Sequence, residues 1–131
     1  MIEKTNPPGL ATPNGFSHVC ITDLPKTIHV SGQVAYDKDG NIVGENDLGA
    51  QTTQVYENIR TALASVGATM DDVIKTTLYV KALDPEKAKI IRQARASFLS
   101  ANSPPTSTMV GVASLAKPAL LLEVEAIAVK R

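Results

Sequence analysis

Two carboxylates stand two residues apart in the run LLLEVEAIAV, residues 120–129, which is otherwise built from Leu, Val, Ile and Ala. A carboxylate taken out of water must be paired, hydrogen-bonded or neutralised, so Glu123 and Glu125 mark a place where polar company is expected. Side chains alternate faces along a strand. Both glutamates therefore share a face with Leu121, Ile127 and Val129, while Leu122, Val124, Ala126 and Ala128 take the other. A carboxylate within hydrogen-bond reach of a bound water can accept its proton. The other reactive types offer less. His18 and His29 lack a third ligand for a metal and read as ordinary strand residues. Cys20, the only cysteine, reads as a small buried apolar residue. Ser107 has no neighbouring histidine and no elbow motif to activate it as a nucleophile. The DKDG turn at 37–40 has its glycine too early for a calcium loop.

The elements that must carry these groups follow from apolar spacing. The segment MIEKTNPPGLAT is polar and proline-rich and reads as an extended arm. FSHVCI (16–21) and TIHVSGQV (27–34) read as strands joined by a turn with Asp23 and Pro25, and NIVG (41–44) as a short strand after the DKDG turn. From Asp47 to Val66 the period becomes helical, with Val55, Ile59, Ala62, Leu63 and Val66 on one stripe and Gly67 as the stop. DDVIKTTLYVKAL returns to a period of two: Ile74, Thr76, Leu78 and Val80 face one way, Lys75, Thr77 and Tyr79 the other. Asp84-Pro85 starts a second helix that runs to about Leu99 and buries Ile91, Ala94 and Phe98. Strands follow near 107–113 and 119–129. The fold class is α+β, with two helices packed on one face of the sheet.

Composition bounds the rest. With 131 residues and 44% apolar content the chain forms one domain, 1–131, and can bury roughly two-thirds of its unfolded surface. Thirteen basic and thirteen acidic side chains cancel, which leaves no electrostatic footprint for nucleic acid or an anionic membrane. No apolar run reaches membrane-spanning length and the N-terminus lacks signal-peptide features, so a cytoplasmic location is expected. Nothing in the pattern calls for a cofactor or a metal. The last strand is apolar on both faces and Val30, Val34 and Met109 lie on other strands, so the uncovered sheet face is expected to be an interface in a homo-oligomer.

HVSGQV, VIKTTLYVKAL and LEVEAIAV, in this order and at this chain length, resemble the RidA/YjgF family of imine/enamine deaminases, also labelled endoribonuclease L-PSP. The resemblance covers about Asn14 to Arg131. It implies a chorismate-mutase-like fold, with a mixed sheet of about six strands and two helices on one face. It also implies a homotrimer whose sheets form a central barrel, with small-molecule ligands in three inter-subunit clefts. Glu123 matches the family glutamate that positions or activates the attacking water, and Ser31, Gly32 and Gln33 match the Ser-Gly-Gln turn that lines the site. The substrate-clamping arginine of the family is absent: Ser107 stands in its place. Met109 replaces a frequent cysteine, Phe16 a site tyrosine, and Arg92 an asparagine of the second helix. Helical spacing puts Arg92 off the core stripe, in the cationic run Lys87, Lys89, Arg92 and Arg95, where a solvated side chain is the plain expectation; from there it could also reach the cleft. Three readings follow. One is a deaminase acting on 2-iminobutanoate- or 2-iminopropanoate-type substrates with altered recognition. The second is a trimer that binds small ligands without catalysis. The third, RNA cleavage, has little support from a neutral chain with 4% aromatic residues.

Overall fold

The structure is a computed structural model that describes all residues from Met1 to Arg131. Six strands and two helices follow in the order β1 (Ile2–Thr5), β2 (Val19–Thr22), β3 (Lys26–Gln33), α1 (Leu48–Ala64), β4 (Val73–Lys81), α2 (Pro85–Arg95), β5 (Thr106–Val112) and β6 (Leu122–Lys130). The main sheet has the order β3-β6-β4-β5 and is mixed: β6 runs antiparallel to both neighbours, and β4 and β5 are parallel. Parallel neighbours require a crossover, and α2 provides it. β1 and β2 form a separate two-stranded antiparallel ribbon. The expected hairpin between residues 16–21 and 27–34 is therefore absent. β2 instead pairs with the N-terminal arm, which is extended as expected but bonded. NIVG contributes only an isolated bridge, Tyr36 to Ile42, because Asp37 turns the chain sharply by accepting from the N–H groups of Asp39 and Asn41.

The helices start where the caps lie. The Asp47 carboxylate accepts from Ala50 N at 3.0 Å and that of Asp84 from Lys87 N at 2.8 Å. α1 ends in a turn that needs Gly67 at φ +75, with Ala68 N donating back to Leu63 O. Val66 falls beyond this end and is exposed rather than on the core stripe. α2 stops at Arg95 and continues as a tighter turn to Phe98.

Both helices cover one face of the main sheet. Val55, Ile59 and Leu63 of α1 and Ile91 of α2 are buried with Leu78, Val80, Leu122, Val124, Ala126 and Ala128. Along β4 the buried set is Val73, Thr76, Leu78 and Val80; a register shift between Val73 and Lys75 replaces the expected Ile74 with Val73. The loop before β6 is tied to α1 by one side chain. Gln51, fully buried, donates from Nε2 to Gly44 O (3.2 Å) and Ala119 O (2.9 Å), and its Oε1 accepts from Leu121 N (2.9 Å).

The uncovered face is mixed rather than apolar. Val30 belongs to the core cluster, and His29, Ser31, Lys75, Thr77 and Glu125 line a shallow groove across β3, β6 and β4 together with Ile127. Exposed apolar side chains sit at Val19 and Ile21 of the ribbon and Val110 of β5. Cys20 lies across the ribbon from Lys4. Burial pushes its thiol pKa up and the Lys4 ammonium draws it partly back. Since the thiolate is the nucleophile, Cys20 should be alkylated by iodoacetamide at pH 8 several-fold more slowly than free cysteine; an equal rate would contradict this environment.

Candidate functional site

Two groups of side chains from the sequence reading are assembled at opposite edges of the main sheet. At the β3 side, the strand bulges: Val30 pairs with Ala126 but Gln33 with Val124, so three steps on β3 match two on β6. The bulge holds Ser31 and Gly32, and Gln33 Nε2 donates to Ser31 O at 3.2 Å. The continuation of the chain is pinned by Asn58 of α1, whose Nδ2 donates to Val34 O and Tyr36 O. Gly32 lies directly under the Glu123 carboxylate. A Cβ at this position would fall 2.0 Å from Glu123 Oε2, so only glycine lets the carboxylate rest there.

The two glutamates have different surroundings on the uncovered face. Glu125 is exposed and accepts from the Tyr79 hydroxyl at 2.8 Å. Tyr79 stands opposite Glu123 and diagonal to Glu125. The bond to Glu125, then partial desolvation and the two negative charges, raise the Tyr79 pKa, so the hydroxyl stays a donor. Glu123 is half-buried, with its oxygens over Gly32 rather than on Tyr79. One carboxylate is engaged within the chain and the other, half-buried over Gly32, forms no hydrogen bond within it, an arrangement that suits Glu123 to accept a proton.

At the β5 edge, residues 16–18 run beside the start of the strand: Ser17 N donates to Pro105 O and Ser17 Oγ to Pro104 O. Phe16 packs edge-on against His18, centroids 5.2 Å apart, and His18 Nε2 bonds Ala11 O. Phe16 and Ser107 line one open cleft with Lys75 and Thr108. Met109 packs against the core cluster. Its placement follows from the parallel pairing with β4, which sets Ser107 beside Thr76 and Met109 beside Leu78, both buried. Arg92 is half-buried at the end of α2.

Sequence reasoning missed Arg95. Placed among solvated cations, it is instead only 3% exposed, and its Nη1 donates to Ser107 Oγ at 3.4 Å. The signal was present, because residue 95 is four positions after Ile91 and therefore on the buried stripe of α2. Above it lies the Tyr56 hydroxyl. Burial raises the pKa of that group and the Arg95 charge partly lowers it, but no hydrogen bond with acceptable geometry reaches the hydroxyl oxygen. Arg95 acts on Tyr56 through charge rather than a formed bond.

A mixed four-stranded sheet under two helices, with a glycine-cradled carboxylate on its open face, defines a small α+β fold. The family model described as Endoribonuclease L-PSP matches residues 8–130, and the chain belongs to this RidA/YjgF family. A 2-iminobutanoate/2-iminopropanoate deaminase of Salmonella typhimurium is 36% identical over 83% of this chain and 84% of its own. A RutC family protein of Pyrococcus abyssi is 37% identical over 79% and 78%. The crystal structure of YyfB, a Rid family protein of unknown function from Yersinia pestis, superposes with a TM-score of 0.94 at 36% identity over 98% of both chains.

Proposed function

We propose that this protein is a homotrimeric hydrolase of imine or enamine intermediates in which Glu123 is the general base. The observation that carries this reading is the seat of the Glu123 carboxylate over Gly32. The Salmonella relative, named for imine deamination, supports the reaction class. Glu123 takes a proton from water as the water oxygen bonds to the imine carbon. The proton passes from Glu123 to the nitrogen to give a carbinolamine; transfer of its hydroxyl proton to the nitrogen then accompanies cleavage of the C–N bond, which releases ammonia and leaves the carbonyl product. The neutral hydroxyl of Ser107 makes substrate recognition differ from that of deaminases with an arginine there. Loss of a charge-assisted contact costs about 1.5–3 kcal/mol in binding.

The strand order supports the trimer. Gly32 and Glu123 lie toward the β3 edge and Phe16 and Ser107 at the β5 edge, with β4 between them. A cleft containing both groups needs a second copy placed edge to edge. Gel filtration with light scattering is expected to return three times the mass of the chain; a monomer would overturn the assembly. The single unbridged cysteine is compatible with work in the cytoplasm, and no helix is long and apolar enough to cross a membrane.

The direct test generates 2-iminopropanoate with an amino-acid oxidase and follows its decay with and without the protein. Acceleration is expected, with Glu123→Gln lowering the rate about 100-fold. No acceleration by a folded trimer would overturn the enzyme reading in favour of a ligand-binding trimer, which the serine at position 107 also fits.

A further inference from the structure

Asparagine is a chemically labile residue, because the backbone nitrogen that follows it can attack its side-chain carboxamide. Such attack needs a nitrogen free of hydrogen bonds, little bulk beside it and some ease in losing its proton. The chain has six asparagines, and the fold treats their successors differently. Pro7 has no N–H to lose. Ile59 N lies inside α1, Asp47 N donates to Gly44 O at 2.9 Å, and Ser103 N donates to Ser100 Oγ at 3.2 Å. Ile42, after Asn41, is β-branched and crowds its own nitrogen. Gly15, after Asn14, carries none of these restraints. Both residues are exposed, and the Gly15 N–H makes no hydrogen bond within the chain. Its φ of +78 is a left-handed conformation that glycine adopts freely.

The remaining requirement is met by a neighbour. Arg95 Nη2 lies 3.4 Å from where a Cβ on Gly15 would be, a position two bonds from the Gly15 nitrogen. The guanidinium stays charged at any working pH. It is 3% exposed and belongs to neither ion pair of the chain, Met1 with Asp23 or Arg60 with Glu57. Its field is therefore weakly screened and uncancelled. An adjacent positive charge favours the anionic form of a group. Here that form is the deprotonated Gly15 amide, and then the oxyanion at Asn14 Oδ1 as the nitrogen adds to Cγ.

We propose that Asn14 is a self-modification site, at which the Gly15 nitrogen closes an imide on the Asn14 side chain with Arg95 as the stabilising cation. The Gly15 nitrogen gives its proton to a solvent base and bonds to Asn14 Cγ. The Cγ–Nδ2 bond breaks, and Nδ2 leaves as ammonia with a proton taken from solvent. Water then adds to one imide carbonyl, and the bond from that carbon to nitrogen breaks. Opening at Cγ gives aspartate. Opening at the main-chain carbonyl gives isoaspartate, with one more methylene in the backbone two residues before Phe16. Water is the only co-reactant. Either product adds one negative charge, beside Arg95, to a chain of formal net charge zero.

The modification does not depend on imine hydrolysis, so Glu123→Gln should convert as the parent does. Full-length protein is held for several days at pH 8. Peptide masses, which rise by about one dalton at a converted asparagine, are followed together with the acidic band in isoelectric focusing. Conversion is expected at Asn14 several-fold ahead of Asn41, Asn46, Asn58 and Asn102, and Asn14→Gln should remove the acidic band. Arg95→Lys, which keeps the charge, should keep most of the rate, whereas Arg95→Met should lower it about ten-fold. The parent unfolded in urea supplies the same comparison without any substitution, and should convert Asn14 more slowly than the folded protein. No mass change at Asn14, or equal conversion at Asn102, overturns the site. A rate that is unchanged in folded Arg95→Met, or as fast in the unfolded chain, overturns the part given to Arg95.

Discussion

Gly32→Ala is expected to lower imine hydrolysis by about ten- to 100-fold while leaving the fold intact. The added Cβ would lie 2.0, 2.7 and 2.9 Å from Glu123 Oε2, Cδ and Cγ. None of these separations is tolerable, so something must move. Gly32 does not occupy the left-handed region reserved for glycine, and alanine can adopt its backbone. The atoms in the way belong to a flexible side chain, which can swing aside at a cost below about 1 kcal/mol in stability. The consequence is local: the carboxylate leaves its seat and no longer meets the water. Introduced into Glu123→Gln, the same change should reduce the rate little further, since residues acting as a unit are non-additive. Steady-state rates of the two single variants and the double variant, with melting temperatures as the control for folding, check this. Full activity in Gly32→Ala would disconnect the seated carboxylate from the chemistry.

Gln51→Leu is expected to lower the unfolding free energy by roughly 2–4 kcal/mol. Leucine fills much the same volume but satisfies none of the three backbone groups that Gln51 meets. Gly44 O, Ala119 O and Leu121 N lose their partner together, and an unpaired buried polar group costs about 1–3 kcal/mol. The change also frees the loop that delivers the chain into β6, so Glu123 should be less well held and activity should fall with stability. Urea denaturation gives the first quantity; a loss under about 1 kcal/mol would mean that the loop is anchored by its packing instead.

Local patterning carried most of the fold. The shift from a period of two to a helical period at Asp47, and the N-cap side chains at Asp47 and Asp84, report on backbone geometry within a few residues. Both helices begin where these signals put them. The same holds for the faces of β6, where Leu122, Val124, Ala126 and Ala128 are all buried. Sequence order was weaker for pairing. The strands read at 16–21 and 27–34 form at 19–22 and 26–33, yet they belong to different sheets, because a short turn between strands does not by itself decide which edge each one meets.

The sequence alone determined the family, the α+β class and the pair of glutamates on one strand face, since these rest on residue types and spacing along the chain. Tertiary structure decided what each charged group does. It bonded Glu125 to Tyr79, set Glu123 over Gly32, and gathered His29, Lys75 and Thr77 beside Ile127 on the uncovered face. It also turned Arg95 from one cation in a run of four into a buried guanidinium beside Ser107. Burial and pairing depend on which surfaces meet across the fold, and a bulge of one residue or one turn of helix is enough to change the answer.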